Sequence, residues 1–401
     1  VKMFVFPLGT IVLACCHHYA AIDLDMTLLT KKLNKENQPA VHALVIGVSR
    51  YPYLKDGGKK LMTPDVGLGQ LASPIASTTV FCQWLQKELR PRGLPLGSIE
   101  VLCSPGGNFE DFAGNEIKVA PPTLTNVRKA VGDWAKRGDQ HEDSFMLMYF
   151  CGHGVSSGLV NSLLLEDFGK DSNDPFDTGA IDADGLMDGV RSKKAKSQLF
   201  LIDACRTVSH TTFAQFGEKR GASIISGAPH AQLGIVEQAC LWATSLGSFA
   251  YGVKDQPSVF MTALLHAMRG GGALQDPDDG AWVIQPDILK RAIDHLIQRI
   301  PQFSTSGLQY TQLDGLSKGL AVHLLDGDPS VPVKVQCVPG ERIGVTKFSC
   351  SSGDTRDVGP EGPWHLDLPY NQYTFEAFSA DGGKTINKPA SPPYSIVSFR
   401  Y

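Results

Sequence analysis

What this chain lacks narrows its function first. It has nine cysteines, an odd number with no repeating spacing and no CxxC pair. Neither a zinc ribbon nor a disulfide framework is signalled, and a reducing compartment is the simpler home. The formal net charge is −4, whereas a general nucleic-acid binder carries a basic balance. No internal repeat and no low-complexity tract is present, which sets aside solenoid and linker-type architectures. What is present, 42% hydrophobic residues with 41 Gly and 25 Pro, suits a soluble globular protein with many loops.

The N-terminal run "VKMFVFPLGTIVLACC" is too short to span a bilayer but long enough for a signal-peptide core. Its Val12-Leu13-Ala14-Cys15 step has the form of a bacterial lipoprotein cleavage box. A cytoplasmic protein with residues 1–40 as a leader or mis-assigned start is the first expectation. Export or lipid anchoring through Cys15 is the alternative, and the membrane enters only there. The adjacent residues of "CCHH" (15–18) cannot all converge on one ion, so no metal is expected at that point.

Apolar runs alternate with helical periods over most of the chain. "VHALVIGVS" (41–49), "IEVLCSP" (99–105), "SFMLMYFCGHG" (144–154), "SQLFLIDACR" and "ACLWATS" (239–245) read as buried strands. Between them, "PIASTTVFCQWLQKEL" (74–89) sets Val80, Trp84 and Leu85 on one helical face behind Pro74. "PTLTNVRKAVGDWAKR" forms a second helix with Thr125 as its cap. Helices follow again in "SVFMTALLHAMRG" (258–270), stopped by glycines, and from Pro286 onward. Such alternation predicts an α/β fold: a mainly parallel sheet flanked by helices on both faces. Beyond about residue 330, "VPVKVQCV", "YTFEAFSA" and "YSIVSFRY" alternate with period two, predicting a small all-β, sandwich-like C-terminal domain. The expected division is 1–40, 41–328 and 329–401.

Ligands of open α/β sheets bind beyond the carboxyl ends of the strands. Two strands here end in reactive residues. "FMLMYFCGHG" delivers His153 and "LFLIDAC" delivers Cys205, 52 positions later. A thiolate is a nucleophile and a neighbouring imidazole can take its proton. Each residue alone has a plain structural explanation, a buried thiol or a satisfied imidazole. Their shared placement, each after an apolar run and among small residues, favours chemistry.

An apolar block ending in His-Gly, then another ending in Asp203-Ala204-Cys205-Arg206, resembles the caspase-like cysteine peptidases, a group that includes caspases, metacaspases and bacterial relatives. The likeness covers about residues 41–325. It implies the caspase fold for the α/β region and a cysteine endopeptidase. Cys205 would attack the peptide carbonyl, and His153 would serve as acid and base. The backbone N–H groups of Gly154 and Cys205 would form the oxyanion hole. The Gln of the caspase motif is Asp203 here. Metacaspases carry an Asp at this point in the S1 pocket, which implies cleavage after Arg or Lys. Ser77 stands where they carry a second pocket acid, and Asp255 is a substitute candidate. "SLGSFAYG" (245–252) resembles the wall of the substrate cleft, with Ser245, Phe249 and Tyr251 as candidates. Lys219 and Arg220, in the polar segment after Cys205, form a candidate processing site.

The same likeness implies protein substrates, an upstream protease or regulatory protein as activator, and a prokaryotic effector role in cell death or antiviral defence. No nucleic-acid partner is implied, and no cofactor is required for the chemistry. The segment 166–188 holds eight acids and one lysine. It reads as a solvated loop, with Asp182 and Asp184 as calcium candidates because several metacaspases need calcium. Two alternatives stay open: a catalytically silent caspase-fold scaffold, and a peptidase with an acidic P1 preference.

Overall fold

A computed structural model describes residues 27–31, 37–111, 113–157, 160–206, 219–225, 236–245, 255–298, 309–316 and 319–401. The central strands β2 (Val41–Val48), β6 (Phe145–Cys151) and β10 (Ser197–Asp203) are buried at every position. Continuous apolar runs behave this way when both faces of a sheet are covered. Together with β1 (Leu28–Lys31), β3 (Leu96–Ser104), β11 (Glu237–Trp242) and β14 (Gln312–Leu316) they form one sheet ordered β1-β3-β2-β6-β10-β11-β14. The five inner strands run parallel; β1 and β14 are antiparallel edges.

Period-two alternation divides the side chains between two cores. Val41, Ala43, Val45, Leu147, Tyr149, Leu199 and Leu201 face helices α1 (Pro74–Lys87), α5 (Val259–His266) and α6 (Pro286–Ile297). Leu44, Ile46, Met148, Phe150, Phe200 and Ile202 face α2 (Leu124–Gly138) and α4 (Ala183–Arg191). Each helix turns one apolar stripe inward: Phe81, Trp84 and Leu85 from α1, Val127, Val131 and Trp134 from α2. A buried side chain of this size contributes about 1.5–3 kcal/mol, so these stripes dominate the packing.

Three local expectations change. The α2 cap is Thr123, whose hydroxyl accepts the Asn126 N–H; Thr125 already lies within the helix. Thr123 has the extended backbone of a cap, with φ −79 and ψ 159. The glycines after α5 do not stop it cleanly, because the chain widens into a π turn at Ala267–Gly271. The acidic segment 166–188 is not a plain solvated loop. It contains α3 (Pro175–Gly179), β9 (Ala180–Asp182) and the start of α4, and its apolar residues Phe168, Phe176, Ile181 and Leu186 are buried. Burial of those four side chains outweighs the solvation of the acids between them.

Smaller hairpins decorate the sheet. β4 (Asn108–Glu110) pairs with β5 (Glu116–Lys118), and β7 (Gly154–Ser157), β8 (Val160–Leu164) and β9 form a three-stranded sheet. β12 (Ala273–Gln275), β13 (Trp282–Ile284) and β15 (His323–Leu324) form another.

The C-terminal strands are β16 (Ser330–Val338), β17 (Lys347–Cys350), β18 (Thr355–Arg356), β19 (Trp364–Pro369), β20 (Asn371–Ser379), β21 (Gly382–Ala390) and β22 (Ser395–Arg400). They form two sheets, β19-β16-β22 and β18-β17-β20-β21, around a core with Val333, Val335, Phe348, Phe375 and Phe399. Alternate residues along β16 enter that core, as the period-two pattern predicts. Among the described residues no helix is long and apolar enough to cross a membrane. Cys15 and the N-terminal run lie outside the described residues.

Candidate active site

β6 and β10 are neighbours in register, with Cys151 opposite Asp203. The Gly152 N–H donates to the Asp203 carbonyl at 3.3 Å, which carries the pairing past the strand end. Two residues beyond that matched pair, each strand end presents its reactive group: His153 on one side, Cys205 on the other. Two buried strands of equal phase therefore bring together residues far apart in sequence.

Gly154 lies flat against the Cys205 backbone. A Cβ added there would stand 2.6 Å from the Cys205 carbonyl oxygen and 2.9 Å from the Ala204 Cβ. Only glycine allows this approach. Cys205 is half-buried, whereas Cys82, Cys103, Cys151, Cys240, Cys337 and Cys350 are buried. Among the described cysteines it is the one a substrate can reach.

The His153 ring is fixed by its surroundings. Nε2 lies 2.8 Å from the Gly69 carbonyl oxygen. A carbonyl only accepts, so Nε2 carries the hydrogen and, in the neutral ring, Nδ1 is the basic nitrogen. Tyr51 packs against the ring with centroids 4.7 Å apart, and its hydroxyl accepts the His153 backbone N–H at 2.7 Å. Burial lowers the imidazole pKa, partly offset by the Gly69 bond, so the neutral form dominates near pH 7. Tyr51 is fully buried, and its hydroxyl pKa is raised well above the ordinary value by burial; the Cys151 and Cys205 thiols add to that rise. A neutral Tyr51 hydroxyl thus sits close to both halves of the pair.

Asp203 is buried on the face shared with α1 and α5. Tyr149 donates to its Oδ2 at 2.9 Å, and the Ser258 hydroxyl donates to the same oxygen. Ser258 also caps α5 by accepting the Met261 N–H, and its own N–H donates to Ser77 Oγ at 2.9 Å. Burial raises the Asp203 pKa; the bonds from Ser258, Tyr149 and Cys151 pull it partly back. Among the described residues, no cation is among the groups acting on this carboxyl. Asp203 and Ser77 thus join one buried polar cluster through Ser258. Asp255 stays exposed three residues before Ser258, in the left-handed region at φ 57.

The remaining candidates are dispersed. Ser245 Oγ donates to the Tyr310 carbonyl at 3.3 Å, while Phe249 and Tyr251 lie outside the described residues. Lys219 and Arg220 are exposed and approach Asp174 and Asp182, each at 3.6 Å. The next residues attach to the edge of β9: Ala222 donates to the Ala180 carbonyl at 2.9 Å and accepts from the Asp182 N–H at 3.1 Å. Asp182 caps α4 through the Gly185 N–H, and Asp184 accepts the Asn161 N–H and side-chain amide. Among the described residues no group of three or more His, Cys, Asp or Glu side chains is placed to hold a metal ion.

Sequence reasoning missed Tyr51, Gly69, Ser258 and Asn161. Ser258 had a signal, as a serine opening an apolar helix. Gly69 had none, because it acts through its backbone carbonyl. Gly154-Val155-Ser156-Ser157-Gly158 spells GxSxG, yet Ser156 lies on hairpin strand β7 and donates to Asn161 Oδ1 at 2.6 Å. A serine nucleophile elbow needs a strand-to-helix turn, so this is not one.

A parallel α/β sheet whose central strands end in a matched His and Cys defines a caspase-type peptidase fold. The chain belongs to the caspase-domain (peptidase C14) family, whose model matches residues 40–292. It is 27% identical over 296 residues to an uncharacterized protein of Sinorhizobium fredii, an alignment spanning 72% of this chain and 83% of the relative. It is 23% identical over 360 residues to a probable protease of a Desulfuromonadales bacterium, spanning 84% of this chain but only 41% of that longer protein. Among solved structures, caspase-1 from Spodoptera frugiperda aligns with a TM-score of 0.40 and 13% identity, over 73% of this chain and 94% of its own.

Proposed function

We propose that this protein is a cysteine endopeptidase that cuts proteins after Arg or Lys. The observation that carries the reading is the matched register of β6 and β10, with His153 oriented by the Gly69 carbonyl. Nδ1 of the neutral imidazole takes the Cys205 proton, and the thiolate attacks the scissile carbonyl carbon. As the C–S bond forms, the carbonyl electron pair moves onto oxygen, which the Gly154 and Cys205 N–H groups stabilise. Collapse expels the amine, which receives the proton held at Nδ1. Water then attacks the thioester, passing a proton through His153 back to sulfur.

Asp203 supports the basic preference. A carboxyl buried among hydroxyls is a poor anion, and an incoming guanidinium or ammonium would stabilise its charged form. For a P1 side chain to reach it, Tyr149 or Ser258 must release its bond, at about 0.5–1.5 kcal/mol. A charge-assisted bond contributes about 1.5–3 kcal/mol in exchange, with Arg favoured by its forked donors. Cutting after Lys219 or Arg220 by this or another protease is the activation step we infer, and it has to free a segment tied to β9. Fluorogenic peptides with Arg, Lys or Asp at P1, offered with and without calcium and with proteolytic activation, test the reading. Turnover of the Arg and Lys peptides that disappears in Cys205→Ala supports it. Preference for the Asp peptide would overturn the assignment of the pocket.

A further inference from the structure

Arg206, the residue after Cys205, does not point into solvent. It is only 4% exposed, with its guanidinium 4.3 Å from the centroid of the Trp242 ring. Its Nε donates to Asn161 Oδ1 at 3.2 Å, and one terminal nitrogen donates to Gln312 Oε1 at 2.8 Å. Asn161 is 5% exposed and opposes Ser156 in the β7–β8 hairpin. The same Asn161 Oδ1 accepts the Ser156 hydroxyl at 2.6 Å. The Asn161 amide group in turn donates to both Asp184 oxygens, at 3.1 and 3.2 Å.

One oxygen therefore joins two segments that the chemistry must hold together. Ser156 lies two residues after Gly154, and Arg206 one residue after Cys205. These are the two residues whose backbone N–H groups would face the oxyanion. From this convergence, and resting on the peptidase reading above, we propose that Asn161 is a positioning residue. With Arg206 it sets the Cys205 backbone against Gly154 so that both N–H groups converge on one oxygen.

Two physical points support a positioning role over simple packing. Burying a guanidinium is costly, and apolar residues of similar volume often stabilise a core as well or better. Oxyanion donors must also lie within about 2.7–3.1 Å of the developing charge, and a displacement near 1 Å costs on the order of 100-fold.

The test compares the full chain with Asn161→Leu, Arg206→Lys and the double variant. Three readouts are needed: turnover of the best peptide, thermal melting, and alkylation of Cys205 by iodoacetamide followed by mass spectrometry. The expected result is a fall in kcat of about 10–100-fold in each single variant. KM should stay within about threefold, and the double variant should be no worse than the poorer single one. Unchanged kcat, or losses that multiply independently, would overturn the proposal. If Asn161→Leu does not fold, Arg206→Lys carries the test alone. If the wild type turns over no peptide, the peptidase reading fails separately, and positioning is read from alkylation. His153→Ala should then slow alkylation in the wild-type background but not in the Asn161→Leu or Arg206→Lys background. Equal slowing in both backgrounds would overturn it.

Discussion

Adding one methyl group to Gly154 probes the site without changing any charged or nucleophilic atom. In Gly154→Ala the new carbon would begin 2.6 Å from the Cys205 carbonyl oxygen and 2.9 Å from the Ala204 Cβ. Ordinary contact begins near 3.4 Å, so the two strand ends must part by about 0.8 Å along the first vector. The width of an oxyanion-donor window is only about 0.4 Å, so both donors cannot stay on one oxygen. Losing one donor costs on the order of 100–1000-fold in kcat, or about 2.7–4 kcal/mol of transition-state stabilisation. The ground state suffers less: overpacking a site of this kind costs about 1–3 kcal/mol of stability. Peptide turnover, thermal melting and Cys205 alkylation measured on one preparation separate these effects. The variant should remain folded and alkylatable while kcat falls at least 100-fold. A folded Gly154→Ala with kcat within threefold of wild type would refute the placement of the oxyanion hole.

Other perturbations follow from the same geometry. Tyr51→Phe keeps the ring on His153 but removes the acceptor of the His153 N–H. An orphaned N–H costs about 1–3 kcal/mol, so kcat should drop roughly tenfold with KM little changed; an unaltered kcat would deny Tyr51 a role in orienting His153. Asp203→Ala should abolish Arg and Lys cleavage while Cys205 still alkylates, and retained Arg turnover would reject the S1 assignment. Burial, chiefly, holds His42 and His323 near pKa 4, against about 6.5 in the unfolded chain. Between those values the unfolded chain binds more protons, so stability falls as pH drops from about 6.5 toward 4, by up to about 3 kcal/mol per histidine. Urea midpoints measured across that range should show this slope, and His42→Asn should remove about half of it.

The fold was legible wherever burial imposes a simple pattern. "FMLMYF" and "LFLI" are apolar throughout because both sheet faces are covered, and β16 alternates because one face is wet. Cys205 and His153 stood out as candidates because each lies three positions past the end of such a run. What stayed hidden depends on long-range contacts or on backbone atoms. Gly69 acts through a carbonyl 84 positions from His153, and Tyr51 through a hydroxyl 102 positions away. Asn161 sits in a short hairpin whose strands are too brief to show a period. The acidic segment misled because charge dominated its composition, while four dispersed apolar residues decided its path.

The central claim is that the matched ends of β6 and β10 form a working Cys/His pair aimed at basic residues. The most direct measurement is cleavage of matched Arg, Lys and Asp peptides by activated wild type, Cys205→Ala and His153→Ala. Turnover of the Arg and Lys peptides, lost in both variants, is the predicted result. Turnover that survives Cys205→Ala, or no turnover of any peptide by an activated preparation whose Cys205 is fully alkylatable, would contradict it.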